Sequence, residues 1–200
     1  VLTRTADGVL TRFYRHQALR LAPIVEEYAT PVDRPTAPGV FALRHYYVWT
    51  PGGQLLYLID ASSGIKVYFY HFDRLGSTVA LTDAAGTVTD AYAYDPYGRL
   101  REHTGSSSQP FTFVGQWGVR QEGAEGDLYH MRARYYDAAT GRFLSRDPAW
   151  PAIGDPARVN PYTYATNDPL NQVDIRGTES SDEELISALL VGNNPWVSSI

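Results

Sequence analysis

From Leu43 onward, short runs of aromatic and β-branched residues alternate with polar turns. Runs such as Lys66-Val67-Tyr68-Phe69-Tyr70 and Thr87-Val88-Thr89-Asp90-Ala91-Tyr92-Ala93-Tyr94 have the composition and length of strands. Such a run leads into Asp, two or three further residues, then Gly: Asp60 to Gly64, Asp73 to Gly76, Asp83 to Gly86, Asp95 to Gly98 and Asp137 to Gly141. The first four aspartates recur every 10 to 13 residues. An aspartate carboxylate bonds turn backbone, and glycine supplies a positive φ. The pattern predicts antiparallel hairpins stacked along an axis; the same spacing also suits an ordinary β-sandwich.

The flanks are less regular. Thr11-Arg12-Phe13-Tyr14-Arg15 reads as a strand, and residues 30 to 40, with Pro31, Pro35 and Pro38, as a loop or linker. Residues 103 to 110 read as an exposed loop, Phe111 to Gly115 as a strand, and Gly123 to Gly126 as a turn. After Pro148 the prolines 151, 156, 161 and 169 exclude long regular elements, and a short helix is expected from Pro161 through Ala165. Ser181-Asp182-Glu183-Glu184 has capping-box form ahead of Leu185, Ile186, Leu189 and Leu190, which predicts a helix stopped near Gly192.

Composition narrows the function classes. A net charge of −5 without a basic cluster argues against a generic nucleic-acid or anionic-membrane surface. There are no cysteines, which excludes disulfides, thiolate zinc sites and a cysteine nucleophile. His16, His45, His71, His103 and His130 show no metal-ligand spacing, so no metal and no cofactor is expected. No apolar run approaches the ~20 residues of a membrane span. The 15 tyrosines suit sheets with one wet face, where the ring packs and the hydroxyl reaches water. Trp49, Trp117 and Trp150 are candidates for a sugar-binding face, although buried packing is the commoner fate of tryptophan. The chain opens Val1-Leu2-Thr3 without a signal-like segment and is expected to be a fragment or a processed product.

Several segments carry a resemblance. Tyr70-His71-Phe72-Asp73-Arg74-Leu75-Gly76-Ser77 resembles the Rhs strand-and-turn consensus, and Leu81 to Gly86 and Tyr94 to Gly98 are similar to the YD-type turns that follow it. Arg134-Tyr135-Tyr136-Asp137, Gly141-Arg142-Phe143 and Asp147-Pro148 resemble the Rhs-associated core, and Asn167 to Leu170 with Val173, Asp174 and Gly177 resemble its closing segment. The match spans roughly Leu43 to Thr178. The resemblance implies a mainly β fold: tyrosine-rich antiparallel hairpins of a YD-repeat β-shell, closed by an inward-curling core plug, with short helices near the C-terminus. The expected division is an upstream shell segment or linker over 1–40, hairpins over 41–115, the plug over 116–178, and the start of a C-terminal cargo over 179–200. The implied partners are the upstream shell, a C-terminal cargo or toxin and a delivery component, and the implied setting is secreted or cell-surface.

The resemblance also implies self-cleavage of the kind aspartic proteases perform, by Asp147 and Asp174 with Arg134, at the bond between Thr178 and Glu179. Two close carboxylates do not both ionise cheaply, so one is expected to keep its proton while the other acts as base. Arg134 is suited to orient a carboxylate through paired hydrogen bonds. Gly177, Tyr135, Tyr136, Asp137, Gly141, Arg142, Pro148, His71, Asp73 and Gly76 are expected to be structural. Ile175 stands where bacterial Rhs cores commonly carry proline, and Thr178 where leucine is usual. Those departures favour a rival reading, a non-cleaving Rhs scaffold; a carbohydrate-binding β-module is the third.

Overall fold

The computed structural model describes residues 2–6, 9–16, 24–29, 42–122, 126–148 and 160–178. The predicted C-terminal helix, Trp150 and Glu179, and the 30–40 loop lie outside them. Nine strands form one antiparallel sheet in chain order: β1 Leu2–Ala6, β2 Val9–His16, β3 Ile24–Ala29, β4 Ala42–Trp49, β5 Leu55–Asp60, β6 Lys66–Phe72, β7 Thr78–Thr82, β8 Val88–Tyr94 and β9 Leu100–Thr104. A second, four-stranded antiparallel sheet follows: β10 Arg120–Glu122, β11 Leu128–Met131, β12 Arg134–Asp137 and β13 Arg142–Phe143. The fold is thus mainly antiparallel β, as the hairpin grammar predicts, and each strand pairs with its sequence neighbour.

Register puts the large apolar residues on one face. Tyr47 lies opposite Leu58, Leu58 opposite Tyr68, and Tyr70 opposite Leu81, and directly opposed residues share a face. Tyr47, Leu55, Leu58, Tyr70, Leu81, Tyr92 and Phe111 form one buried cluster.

Three turns repeat one hydrogen-bond pattern. Asp73 Oδ1 accepts from the amides of Leu75 and Ser77, Asp83 Oδ1 from Ala85 and Thr87, and Asp95 Oδ1 from Tyr97 and Arg99. In each, the glycine amide donates to the aspartate carbonyl. The β4–β5 turn has the same form without an aspartate: Gly53 N donates to Thr50 O and Gln54 N to Thr50 Oγ1 at 3.0 Å. Sequence reading misses it because a threonine hydroxyl stands in for the carboxylate. In all four hairpins the register slips by one residue beside the turn, at Val48/Trp49, His71/Phe72, Leu81/Thr82 and Ala93/Tyr94. Such a bulge bends the strand and increases its twist.

Residues 111–115 depart from expectation. They are buried but not a strand, because the β6–β7 turn absorbs their backbone groups. Thr112 O accepts from Thr78 N, Phe111 O from Thr78 Oγ1, and Ser77 Oγ from Val114 N. Phe111 enters the first cluster; Phe113, two residues on, enters the second, with Val114, Trp117, Tyr129, Met131, Tyr136, Phe143, Tyr164 and Ile175 among its members. The expected 103–110 loop is shorter than predicted: His103 and Thr104 belong to β9, and Gln109 is buried, accepting from Tyr70 Oη and donating to Tyr92 Oη. The helix expected from Pro161 is replaced by a single 3-10 turn at Ala165–Asn167. Ala165, Thr166 and Asn167 have φ of 47, 48 and 63°, a left-handed backbone that no right-handed helix continues. Upstream of it, Tyr162 O and Thr163 are already taken by β13.

Candidate functional site

The second sheet carries the candidate site. β12 begins with Arg134, whose side chain is 2% exposed. Its guanidinium gathers distant parts of the chain: Nε donates to Gly177 O, Nη1 to Pro161 O at 3.0 Å, and Nη2 to Asp174 Oδ2 at 3.0 Å. The same Nη2 lies 2.9 Å from Asp147 Oδ2. The two carboxylate oxygens are therefore no more than 5.9 Å apart, the limit set by contacts of 2.9 and 3.0 Å meeting at one nitrogen. The pair is bridged by a cation. Burial lowers the Arg134 pKa, opposed by the charges of Asp174 and Asp147; a guanidinium nevertheless stays charged in proteins.

The aspartates differ in surroundings. Asp174 is nearly sealed, its side chain 3% exposed, with Oδ1 accepting from Thr178 N at 3.1 Å. Asp147 is more open at 17%, and its backbone amide donates to Pro161 O. At Gly177 the chain runs against the β11–β12 turn. Its φ is 69°, and a Cβ there would lie 2.4 Å from Met131 O and 3.1 Å from Arg134 N. Glycine is required both for conformation and for space. The Ile175 side chain is buried in the second cluster, 4% exposed. Arg134 and Asp174 thus hold residues 177 and 178, and Asp147 is tied to them through Arg134.

The other motif residues are spread over the frame. Tyr136 is fully buried and donates to Tyr97 O at 2.7 Å; Tyr135 is exposed and donates to Glu122. Asp137 Oδ1 accepts from Ala139 N, and its Oδ2 from Thr140 Oγ1, closing the β12–β13 turn, while Gly141 faces the Tyr97 ring. Arg142 pairs with Asp137 across the turn and bridges to Thr163; Pro148 is exposed beside Asp147. His71 Nε2 lies 3.0 Å from Thr82 Oγ1, far from the aspartates in the chain. Asp73 and Gly76 build the turn that holds the 3-10 turn Gly115–Trp117 ahead of the second sheet: Trp117 Nε1 donates to Leu75 O and Gln116 N to Gly76 O. Of the tryptophans proposed for sugar binding, Trp117 is 5% exposed and Trp49 packs edge-on against Phe111.

Two contributors escaped sequence reading. Arg134 Cζ lies over the Phe143 ring, 3.5 Å from its centre; the place of Phe143 in the motif gave it no role. The Pro161 carbonyl bonds both Arg134 and the Asp147 amide, and no sequence signal marks a carbonyl acceptor.

Comparison with known proteins agrees with this architecture. Residues 45–170 match the teneurin YD-shell family. The chain is 34% identical over 177 residues to the tRNA3(Ser)-specific nuclease WapA of Bacillus spizizenii, covering 88% of this chain and 7% of that protein. It is 29% identical over 143 residues to the toxin protein Tse5 of Pseudomonas aeruginosa, covering 72% of this chain and 10% of the toxin. The crystal structure of TcdB2-TccC3 without its hypervariable C-terminal region superposes with a TM-score of 0.60 at 21% identity, over 86% of this chain and 8% of that one. The chain thus spans a small part of each of these relatives. Hairpin grammar, fold and relatives converge: the chain is an Rhs/YD-repeat protein that shares its fold with TcdB2-TccC3, and it belongs to the teneurin YD-shell family.

Proposed function

We propose that this chain is the shell-and-plug segment of a toxin-enclosing protein and that it cuts itself between Thr178 and Glu179. The observation that carries the reading is that Arg134 and Asp174 hold the stretch just before that bond while Arg134 also pairs with Asp147. Arg134 Nε bonds Gly177 O, and Asp174 Oδ1 accepts from Thr178 N. Both bonds fix the one peptide plane that joins Gly177 and Thr178, one residue ahead of the Thr178 carbonyl. A substrate already tethered gains most from such positioning.

In this reading Asp147, the more exposed carboxylate, takes a proton from water as the water oxygen attacks the Thr178 carbonyl carbon. The carbon–nitrogen bond to Glu179 then breaks, and the departing amine carries the proton away. Asp174 acts as the anchor that aligns residue 178, and Arg134 holds both carboxylates in place. Residues 179–200 would begin the released cargo, in keeping with relatives that bear the names of a nuclease and a toxin.

Intact-mass measurement of the purified chain beside Asp147→Asn tests the reading. A break after Thr178 in the wild type and none in the variant is expected. Two uncut, folded chains would replace it with the non-cleaving scaffold.

A further inference from the structure

We infer that Phe143 is a positioning residue for the cut, acting through Arg134. This rests on reading Asp147 and Asp174 as the self-cleaving pair. Arg134 has one guanidinium plane and four acceptors to serve: Gly177 O, Pro161 O, Asp174 Oδ2 and Asp147 Oδ2. A guanidinium donates only in its own plane. Rotation about its long axis would therefore break several of these contacts together, and a surface against its face adds a further restraint on that rotation.

Phe143 supplies that surface. Its ring centre lies 3.5 Å from Arg134 Cζ, in the range where the ring's negative face attracts the cation. The ring is itself fixed. Phe143 is 2% exposed, stands opposite Tyr136 in the β12–β13 register, donates its amide to Tyr162 O, and packs edge-on against the Tyr136 ring at 5.5 Å. The tilt of the Phe143 ring therefore sets the tilt of the guanidinium, and that in turn sets the two carboxylates and the Gly177 carbonyl. The second sheet has a direct path from strand pairing to the site: β13 positions the ring, and β12 positions the arginine over it.

Packing alone and plane-setting make different demands on residue 143. Packing needs apolar volume, which leucine or methionine provides. Plane-setting needs a flat electron-rich face, which tyrosine provides and leucine does not. The test is a pulse–chase of the full chain in cell-free translation, with the fraction cut after Thr178 followed by mass spectrometry for the wild type, Phe143→Tyr, Phe143→Leu and Phe143→Met. Phe143→Tyr is expected to cut within about twofold of wild type, and Phe143→Leu to cut roughly tenfold more slowly, the scale of one desolvated cation–π contact. Phe143→Met, whose flexible side chain fills irregular space, answers the same question should the leucine variant fail to fold. Leucine or methionine variants that cut as fast as Phe143→Tyr overturn the inference while leaving the self-cleaving reading intact. A wild-type chain that is never cut overturns the reading, and this inference with it.

Discussion

Trp117 is packed onto the backbone of Gly76: a Cβ at residue 76 would lie 2.3 Å from the indole Nε1, and that same nitrogen donates to the neighbouring Leu75 carbonyl at 2.9 Å. Gly98, in the matching turn two strands on, meets the Phe113 ring in the same way, and its carbonyl accepts from Tyr129 Oη. Gly86, between them and at the opposite end of the sheet, has nothing within 4 Å.

These glycines provide an internal control. All three have positive φ, at 91, 81 and 87° for Gly76, Gly86 and Gly98. Alanine at any of them costs about 1–2 kcal/mol of backbone strain. Gly76→Ala and Gly98→Ala also collide with a buried ring, adding roughly 1–3 kcal/mol. Urea unfolding is expected to rank Gly86→Ala as the mildest of the three.

The repeated turn has its own measurable contribution. Asp83 Oδ1 accepts two backbone amides, from Ala85 and Thr87, both at 2.9 Å. Asp83→Ala strands both donors near the surface and is expected to lower stability by about 1 kcal/mol. Asp83→Asn keeps an oxygen at that position and should lose much less. Equal losses would remove the hydrogen bonds as the cause.

Arg134 is the buried junction of the second sheet. Arg134→Met leaves Asp174, with a side chain 3% exposed, beside an apolar group. Breaking one partner of a buried pair costs about 3–5 kcal/mol. Arg134→Lys is expected to restore little, because one ammonium does not reproduce the planar fork. Adding Asp174→Asn to Arg134→Met should recover part of the loss, and a double-mutant cycle measures the coupling.

Alkaline pH should unfold this protein through its tyrosines. Burial, with a smaller contribution from the Asp90 charge, raises the Tyr92 pKa from 10.0 to about 12. Burial also moves Tyr94, Tyr129 and Tyr136 upward. The folded state favours the protonated phenol, so the contribution of Tyr92 is whole below pH 10.0 and is lost as pH rises through about 12. For Tyr92 alone this is on the order of 2 kcal/mol. Unfolding free energies should therefore fall steeply between about pH 10 and pH 12, and Tyr92→Phe should flatten that slope. Phenolate absorbance tracking the unfolding transition would tie the two together.

The turns, the strands between them and the antiparallel order were determined by the sequence itself, because each depends on residues a few positions apart. Asp73 reaches the amides two and four residues on, and side chains alternate across a strand whatever lies beyond it. The motif residues Arg134, Asp147, Asp174 and Gly177 were also legible, through resemblance to a family. Tertiary structure alone decided what they do to one another. Sequence reading expected one aspartate to keep its proton and Arg134 to orient a carboxylate; the fold adds that one nitrogen, Arg134 Nη2, contacts both carboxylates and that Phe143 lies beneath the guanidinium. It also decided that residues 111–115 give up strand geometry to satisfy the β6–β7 turn, and that two of the three Asp-x-x-Gly turns carry an aromatic ring while the third carries none. The physical reason is distance along the chain. Local hydrogen bonds repeat with the sequence period, but a guanidinium that gathers residues 147, 161, 174 and 177 answers to packing between segments whose spacing follows no period.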